Sequence, residues 1–252
     1  MAAAAVLLTA GAMASSAASA EDVKETYYVS LGDSLAQGYQ PTGGPSDGAQ
    51  APPGHHQGYA DQLFKLEREA LPKLRLAKLG CGGETTATMI DGAWCEYTAG
   101  SQLAQAVAFL EENSGRIEFV TLDIGANDVI ECLFTGDQRC FDAGIAAVRA
   151  NLPVILEALQ DAAGTRVPII GMTYYNLFPG TPAGSMMDTL NAVLEEIYAA
   201  ADVSVAQVDD AFAANPAAAC AWTWICSKYQ DVHANTEGYG VISRTFAEEL
   251  QR

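Results

Sequence analysis

Short apolar runs alternate along this chain with stretches in which apolar residues recur at helical spacing, a contrast that separates buried strands from amphipathic helices. The predicted strands are 27–31, 74–79, 119–124, 167–172 and 203–208. The predicted helices are 59–71, 103–110, 145–159 (with a candidate kink at Pro153), 190–197 and 236–250. Because the two types alternate without an internal repeat or a break in composition, the pattern predicts one α/β domain, a three-layer α/β/α sandwich around a central parallel sheet of about five strands.

Polar motifs follow the first three predicted strands. Gly32-Asp33-Ser34 ends the first strand, the segment 80–84 ends the second, and the segment 125–128 ends the third. Ligands of such sheets bind beyond the carboxyl ends of the strands, so the three motifs are expected to share one edge. Residues 38–58 hold six Gly and four Pro, which predicts a long irregular loop after the first motif.

Ser34 is a candidate nucleophile, because a serine at a strand end that enters a helix exposes both its hydroxyl and its backbone N–H. The segment is not a G-x-S-x-G elbow, since residue 36 is Ala, and Gly-Asp-Ser on its own is ordinary turn and cap chemistry. A nucleophilic serine needs a base. His55 and His56 lie in the Gly- and Pro-rich loop, where solvated side chains are the default, whereas His233 precedes the last predicted helix. The sequence therefore favours His233.

Two further residues are candidate donors toward a negative charge that develops on a reacting oxygen. Gly83 can bring its backbone N–H close because it has no Cβ, and Asn127 carries a side-chain amide. Either segment alone also fits a tight turn. The order Ser, Gly, Asn and His, each at a predicted turn, favours a catalytic set over four unrelated turns.

Charge excludes several classes of partner. Lys and Arg number 13 against 31 Asp and Glu, a formal net charge of −18. Such a surface repels phosphate backbones and anionic headgroups, so we expect no nucleic-acid partner and no polybasic membrane anchor. His is scarce and no C-x-x-C occurs, so we expect no metal site.

The N-terminus predicts export. Residues 1–20 are uncharged and rich in Ala, and they end in Ala18-Ser19-Ala20, an A-x-A cleavage pattern. We therefore expect a signal peptide over 1–20, a mature chain that starts at Glu21, and a secreted protein. No Lys or Arg precedes the apolar part, which leaves a disordered Ala-rich tail as the alternative.

Six cysteines support export independently, because disulfides persist in oxidising compartments. Sequence proximity favours the pairs Cys81–Cys95, Cys132–Cys140 and Cys220–Cys226 among the several connectivities open to six cysteines. The alternative is six reduced thiols in a cytosolic protein.

Taken in order, the motifs resemble those of the SGNH hydrolase family, also called GDSL lipases and esterases, in its secreted bacterial type with three disulfides. Residues 32–35 (Gly-Asp-Ser-Leu) resemble the first block of the family, Gly83 the second, residues 125–128 the third and residues 231–233 the last. The match runs through essentially the whole mature chain. The resemblance implies a single hydrolase domain over 21–252 with a flavodoxin-like sandwich, carboxylic ester hydrolysis and no cofactor.

The resemblance also implies roles. Ser34 would be the nucleophile and His233 the base, and the N–H groups of Ser34 and Gly83 would form an oxyanion hole with the Asn127 amide. One position departs from the family pattern: Gln230 stands where an Asp usually precedes the histidine by three residues.

Asp231 lies only two residues before His233, so it can orient the imidazole only if 231–233 is extended. In a helical turn a backbone carbonyl would have to hold the ring, giving a Ser–His dyad. We take Asp231 as the third catalytic residue.

The substrate is the least determined feature. Tyr39, Tyr59, Trp94 and the segment 174–178 either line an apolar acyl pocket or are ordinary core and surface aromatics. A small-molecule or lipid ester is the leading expectation. The alternatives are an acetylated carbohydrate, or a catalytically weak binding module on the same fold. We expect a monomer without a stable membrane anchor.

Overall fold

The computed structural model describes Met1, residues 24–41 and residues 57–251, and its centre is a parallel sheet of five strands in the order β2-β1-β3-β4-β5. The strands are β1 (Thr26–Gly32), β2 (Leu74–Lys78), β3 (Ile117–Asp123), β4 (Ile169–Met172) and β5 (Ser204–Ala206). This strand order is that of flavodoxin-like doubly wound folds. The predicted fold class is confirmed.

The helices form two outer layers. They are α1 (Ser34–Gln37), α2 (Tyr59–Glu67), α3 (Thr86–Asp91), α4 (Gln102–Glu112), α5 (Ile130–Thr135), α6 (Gln138–Ala163), α7 (Pro182–Ala200), α8 (Val208–Ala213), α9 (Ala218–Trp222) and α10 (Thr236–Leu250). In one layer α10 packs against α2, α8 and α9, and in the other α6 packs against α3, α4 and α7. Parallel strands need such cover on both faces.

The predicted elements are present with shifted ends. The helix predicted at 145–159 is longer, because Asp137 caps an earlier start by accepting the N–H groups of Arg139 and Cys140. It also continues through Pro153. The fifth strand is shorter than predicted, since α8 begins at Val208. Four short helices, α3, α5, α8 and α9, were not predicted.

Buried polar side chains collect at the carboxyl edge of the sheet. Along β1 and β3 the interior is a nearly continuous apolar run, as a sheet covered on both faces requires. Near the carboxyl ends of β1, β3 and β4, the side chains of Asp33, Thr121, Asp123 and Thr173 are buried with 0–2% of their surface exposed. Buried polar groups are more informative than buried apolar ones, and here they mark the edge that the motifs predicted.

Three disulfides join Cys81–Cys95, Cys132–Cys140 and Cys220–Cys226, the pairs that sequence proximity favours.

The predicted signal peptide (1–20) and the pair His55 and His56 lie outside the described residues. Within the part of the chain that is described, no helix combines the length and apolar character that a membrane span needs.

Candidate active site

Ser34 lies on a tight strand-to-helix turn at the carboxyl edge. It is the first residue of α1, and Asp33 caps that helix by accepting the Leu35 N–H at 2.9 Å. Gly32 makes the turn possible: its φ is +131°, and a Cβ there would lie 2.0 Å from the carbonyl oxygen of Asp123. Only glycine tolerates both conditions. The turn therefore presents a partly exposed Ser34 at the edge of the sheet.

The structure brings Ser34 and His233 together across a separation of 199 residues. The Ser34 Oγ lies 2.8 Å from the His233 Nε2. On the other side of the ring, Nδ1 lies 2.7 Å from the Asp231 Oδ1, which also accepts the backbone N–H of His233 at 2.8 Å. Residues 231–233 form neither a helix nor a strand, and the Asp231 carboxylate meets the ring in this irregular segment.

The backbone of this loop explains why Asp231 reaches the imidazole from an unusual position. Gln230 has a φ of +47°, in the left-handed region, so the chain turns at the position where the family usually has its Asp. The loop is then tied down. The Trp224 N–H donates to the His233 carbonyl, and the Tyr175 hydroxyl donates to the Val232 carbonyl, at 3.1 and 3.0 Å.

Electrostatics fix the roles of the two ring nitrogens. Burial acts to raise the pKa of Asp231, but the hydrogen bonds and the charge of His233 outweigh it, so the pKa lies below its ordinary value. An ionised Asp231 accepts the hydrogen on Nδ1, which leaves Nε2 as the acceptor for the Ser34 hydroxyl. The ring of Tyr39 packs against the imidazole with centroids 4.4 Å apart.

Donors without an internal acceptor lie beside Ser34. The backbone N–H groups of Ser34 and Gly83 have no acceptor among the described residues. Asn127 uses one amide hydrogen to bond the Glu84 carbonyl at 2.9 Å and has a second available. The loop that carries Gly83 lies beside Ser34, because a Cβ added at the neighbouring Gly82 would lie 3.9 Å from the Ser34 Cβ. These donors can stabilise a negatively charged oxygen on a carbon atom that is bonded to Ser34 Oγ.

Asp128 has a role that the motif alone did not predict. Its carboxylate accepts the backbone N–H and the hydroxyl of Thr86 at 2.9 and 2.7 Å. Asn151, on α6, donates to the same hydroxyl. These bonds tie the loop after β2, which carries Gly83, to the turn that carries Asn127. An acid directly after the candidate Asn was the available signal, but its partner is 42 residues away.

An apolar pocket opens beside Ser34 and His233. Its walls are α5, the segment 174–178 and the start of α7, and the apolar side chains include Ile130, Leu133, Phe134, Leu177, Phe178 and Met187. The segment 174–178 thus lines a pocket, as one interpretation of its aromatics predicted. Tyr59 and Trp94 follow the other interpretation: Tyr59 is fully buried in the core, and Trp94 is 67% exposed away from the pocket.

The polar groups of the pocket wall are already bonded within the protein. Tyr174 donates to the Asp33 carboxylate at 2.8 Å, and Tyr175 donates to Val232. Asn176 donates to the Gly184 carbonyl and to Asp188. This wall therefore presents mainly carbon to a ligand. Over the described ranges, no group of three or more His, Cys, Asp or Glu side chains is placed to hold a metal ion.

Comparison with known proteins identifies the family. Residues 30–241 match the profile of the GDSL-like Lipase/Acylhydrolase family. No curated protein sequence matches the chain significantly.

Solved structures share the fold at low sequence identity. A variant of Axe2, an acetyl xylan esterase from Geobacillus stearothermophilus, superposes with a TM-score of 0.65 at 19% identity over 90% of this chain and 95% of its own. The lipase Lip_vut3 from a goat rumen metagenome gives 0.63 at 19% identity over 89% and 97%. LAE5, an alpha/beta hydrolase from the metagenome of Lake Arreo, Spain, gives 0.58 at 17% over 90% and 96%.

The family match spans most of the chain, from β1 into α10, and includes all the motifs at the carboxyl edge. The chain belongs to the GDSL-like lipase/acylhydrolase family of carboxylic ester hydrolases.

Proposed function

We propose that this protein is a secreted serine esterase in which Ser34 is the nucleophile, His233 the general base and Asp231 the residue that orients the base. One observation carries the proposal: a continuous hydrogen-bonded line runs from Ser34 Oγ through both ring nitrogens of His233 to Asp231, with distances of 2.8 and 2.7 Å. A line of this kind is what activates a serine hydroxyl.

In the proposed reaction Ser34 Oγ attacks the ester carbonyl carbon while His233 Nε2 takes the hydroxyl proton. The negative charge on the carbonyl oxygen is held by the N–H groups of Ser34 and Gly83 and by the Asn127 amide. Collapse of this intermediate expels the alcohol, which receives the proton from His233, and leaves an acyl-enzyme. Water then attacks, His233 takes its proton and returns it to Ser34, and the carboxylic acid is released.

The pocket favours esters whose acyl part is an alkyl chain. Its wall is made of apolar side chains, and the polar groups in that wall bond within the protein. Hydroxyl-rich ligands would find few unsatisfied hydrogen-bonding partners there. Each methylene group that moves from water to this wall would instead stabilise the bound ester by about 0.8 kcal/mol.

A series of 4-nitrophenyl esters from acetyl to dodecanoyl tests the substrate class. We expect kcat/KM to rise by about tenfold or more from acetyl to a medium chain, since every 1.4 kcal/mol of transition-state binding is a factor of ten. Phe178→Ala should flatten the rise, and Trp94→Ala, which removes an exposed aromatic outside the pocket, should not. A series that is fastest for acetyl would instead favour a carbohydrate O-acetyl esterase, the activity named for Axe2.

Covalent labelling tests the nucleophile directly. An organophosphonate probe should modify the folded protein once, at Ser34, and should not modify Ser34→Ala. Folded wild-type protein that resists the probe would contradict the proposal and favour a binding module on this fold.

Export forms part of the proposal. We propose a signal peptide over 1–20 and a single hydrolase domain over 21–252 that acts as a monomer. Expression in an exporting bacterium should yield protein that starts at Glu21 and has no titratable thiol, because all described cysteines are paired. Six titratable thiols would contradict the secreted assignment.

A further inference from the structure

Asp123, the last residue of β3, lies directly beneath the Ser34 turn and belongs to none of the motifs. It is fully buried, and in the sheet it pairs with Gly32. One oxygen, Oδ2, accepts the backbone N–H of Asp33 and that of Ala36, both at 3.2 Å. The Asp33 N–H also donates to the backbone carbonyl of Asp123 at 3.0 Å, whereas the Ala36 N–H depends on the side chain alone. The carboxyl group thus contacts the backbone on both sides of Ser34.

These contacts account for the N–H groups of α1. The Leu35 N–H goes to the Asp33 side chain at 2.9 Å, the Gln37 N–H to the Asp33 carbonyl at 3.0 Å, and the Ala36 N–H to Asp123. Among the backbone N–H groups of α1, only that of Ser34 has no acceptor in the described residues. Without the Asp123 side chain, the N–H of Ala36, a residue with no exposed surface, would also lack a partner, and the backbone N–H groups of α1 would then bond only to Asp33, within the same turn.

The surroundings of Asp123 favour its protonated form. Burial raises the pKa of Asp123 well above its ordinary value, and the neighbouring Asp33 carboxyl raises it further. The other oxygen, Oδ1, lies 2.5 Å from the Tyr59 hydroxyl, which also contacts Thr121 Oγ1 at 3.4 Å. A neutral acid can accept N–H groups at one oxygen and share a proton with a hydroxyl at the other.

We infer that Asp123 is a positioning residue for the proposed ester hydrolysis, a buried acceptor that orients α1 so that the Ser34 N–H faces the developing oxyanion. The inference rests on the proposed function.

Three variants test it with 4-nitrophenyl esters. Asp123→Asn keeps an oxygen for the two N–H groups and an amide for the Tyr59 hydroxyl, so kcat should stay within about threefold of wild type. Asp123→Ala removes the side-chain acceptor of the Ala36 N–H. It should lower kcat about 100-fold with KM nearly unchanged, which is the loss expected when an oxyanion donor is misplaced.

Asn113→Ala is the matched control: it deletes a buried polar side chain that bonds the Phe109 carbonyl and Arg116, away from the carboxyl edge. Its kcat should not change.

Circular dichroism identifies variants that fold. Should Asp123→Ala fail to fold, Asp123→Ser takes its place with the same expected loss, because its short hydroxyl does not reach the Ala36 N–H. The inference is overturned by a folded Ala or Ser variant with wild-type kcat, or by a folded Asn variant that loses as much activity as the Ala variant. Inactive wild-type protein would overturn the proposed function as well, whereas active wild type with these results overturns this inference alone.

Discussion

At the scale of the residue, the imidazole of His233 is held from both sides, with Ser34 at Nε2 and Asp231 at Nδ1. The sequence predicted these three residues by type and order. The sequence alone could not decide whether Asp231 or a backbone carbonyl bonds the imidazole, because the answer depends on the backbone conformation of residues 231–233. Gln230 adopts a left-handed backbone conformation, which its residue type does not predict.

Asp231→Ala tests the orienting role. We expect kcat to fall at least about 100-fold, because the ring loses the partner that fixes its tautomer, and His233→Ala should abolish turnover almost entirely. Steady-state kinetics on one ester compares the two variants. A loss of only a few-fold for Asp231→Ala, beside near-total loss for His233→Ala, would remove Asp231 from the catalytic set.

Asn127→Ala tests the oxyanion donors. Removal of one donor typically lowers turnover by about 10²–10³, while KM should change little, since the amide acts on the transition state. The control is Asn113→Ala, which removes a buried amide away from the carboxyl edge and should leave kcat unchanged. Unchanged kcat for Asn127→Ala would contradict its role.

At the scale of the element, each disulfide closes a loop beside a site segment. Cys81 lies two residues before Gly83, Cys132 lies in α5 on the pocket wall, and the Cys220–Cys226 pair precedes the loop of Asp231 and His233. The helix α5 was not predicted because six residues are too few to display a helical period. Its place on the pocket wall depends on packing against α6 and α7.

The Cys132–Cys140 bridge joins α5 to the first turn of α6, so its loss should loosen one wall of the pocket. For the double variant Cys132→Ser/Cys140→Ser we expect a loss of about 2–3 kcal/mol in the free energy of unfolding, from a short closed loop. We also expect kcat/KM to fall more for octanoyl than for acetyl esters.

Cys220→Ser/Cys226→Ser provides the comparison. This bridge lies near the His233 loop rather than on the pocket wall, so its loss should lower the rates of all ester lengths alike. The same selectivity change in both double variants would show that the Cys132–Cys140 bridge has no special link to the pocket.

At the scale of the whole molecule, a net charge of −18 makes folding depend on pH and salt. Burial raises the pKa of Glu67, Glu84, Asp123 and Asp128. Because the pKa of these carboxyl groups is higher in the folded protein, the native state binds more protons than the unfolded chain above about pH 4. The free energy of unfolding therefore falls as the pH rises from that point. Glu25 and Glu196 act in the opposite sense: hydrogen bonds and charge from Arg75 and Arg149 lower their pKa.

We therefore expect Tm to rise as the pH is lowered from 7.5 to about 5, and to fall below about pH 4 as the carboxylates with lowered pKa take up protons. Salt should raise Tm at pH 7.5 more than at pH 5, because it screens the repulsion among acidic groups. Calorimetry at several pH values measures this, and Asp123→Asn should flatten the rise. A Tm that decreases steadily from pH 7.5 to 5 would contradict the expectation.

The sequence by itself determined the α/β alternation, the edge at which the site forms and the types of its residues, because hydrophobic period and strand-end motifs are local properties. Only the tertiary structure decided which polar groups meet. The 2.8 Å contact of Ser34 with His233 spans 199 residues, and the bonds of Asp123 to the Ser34 turn span about 90. Such contacts depend on strand order and on the backbone path at Gln230, which no local pattern encodes.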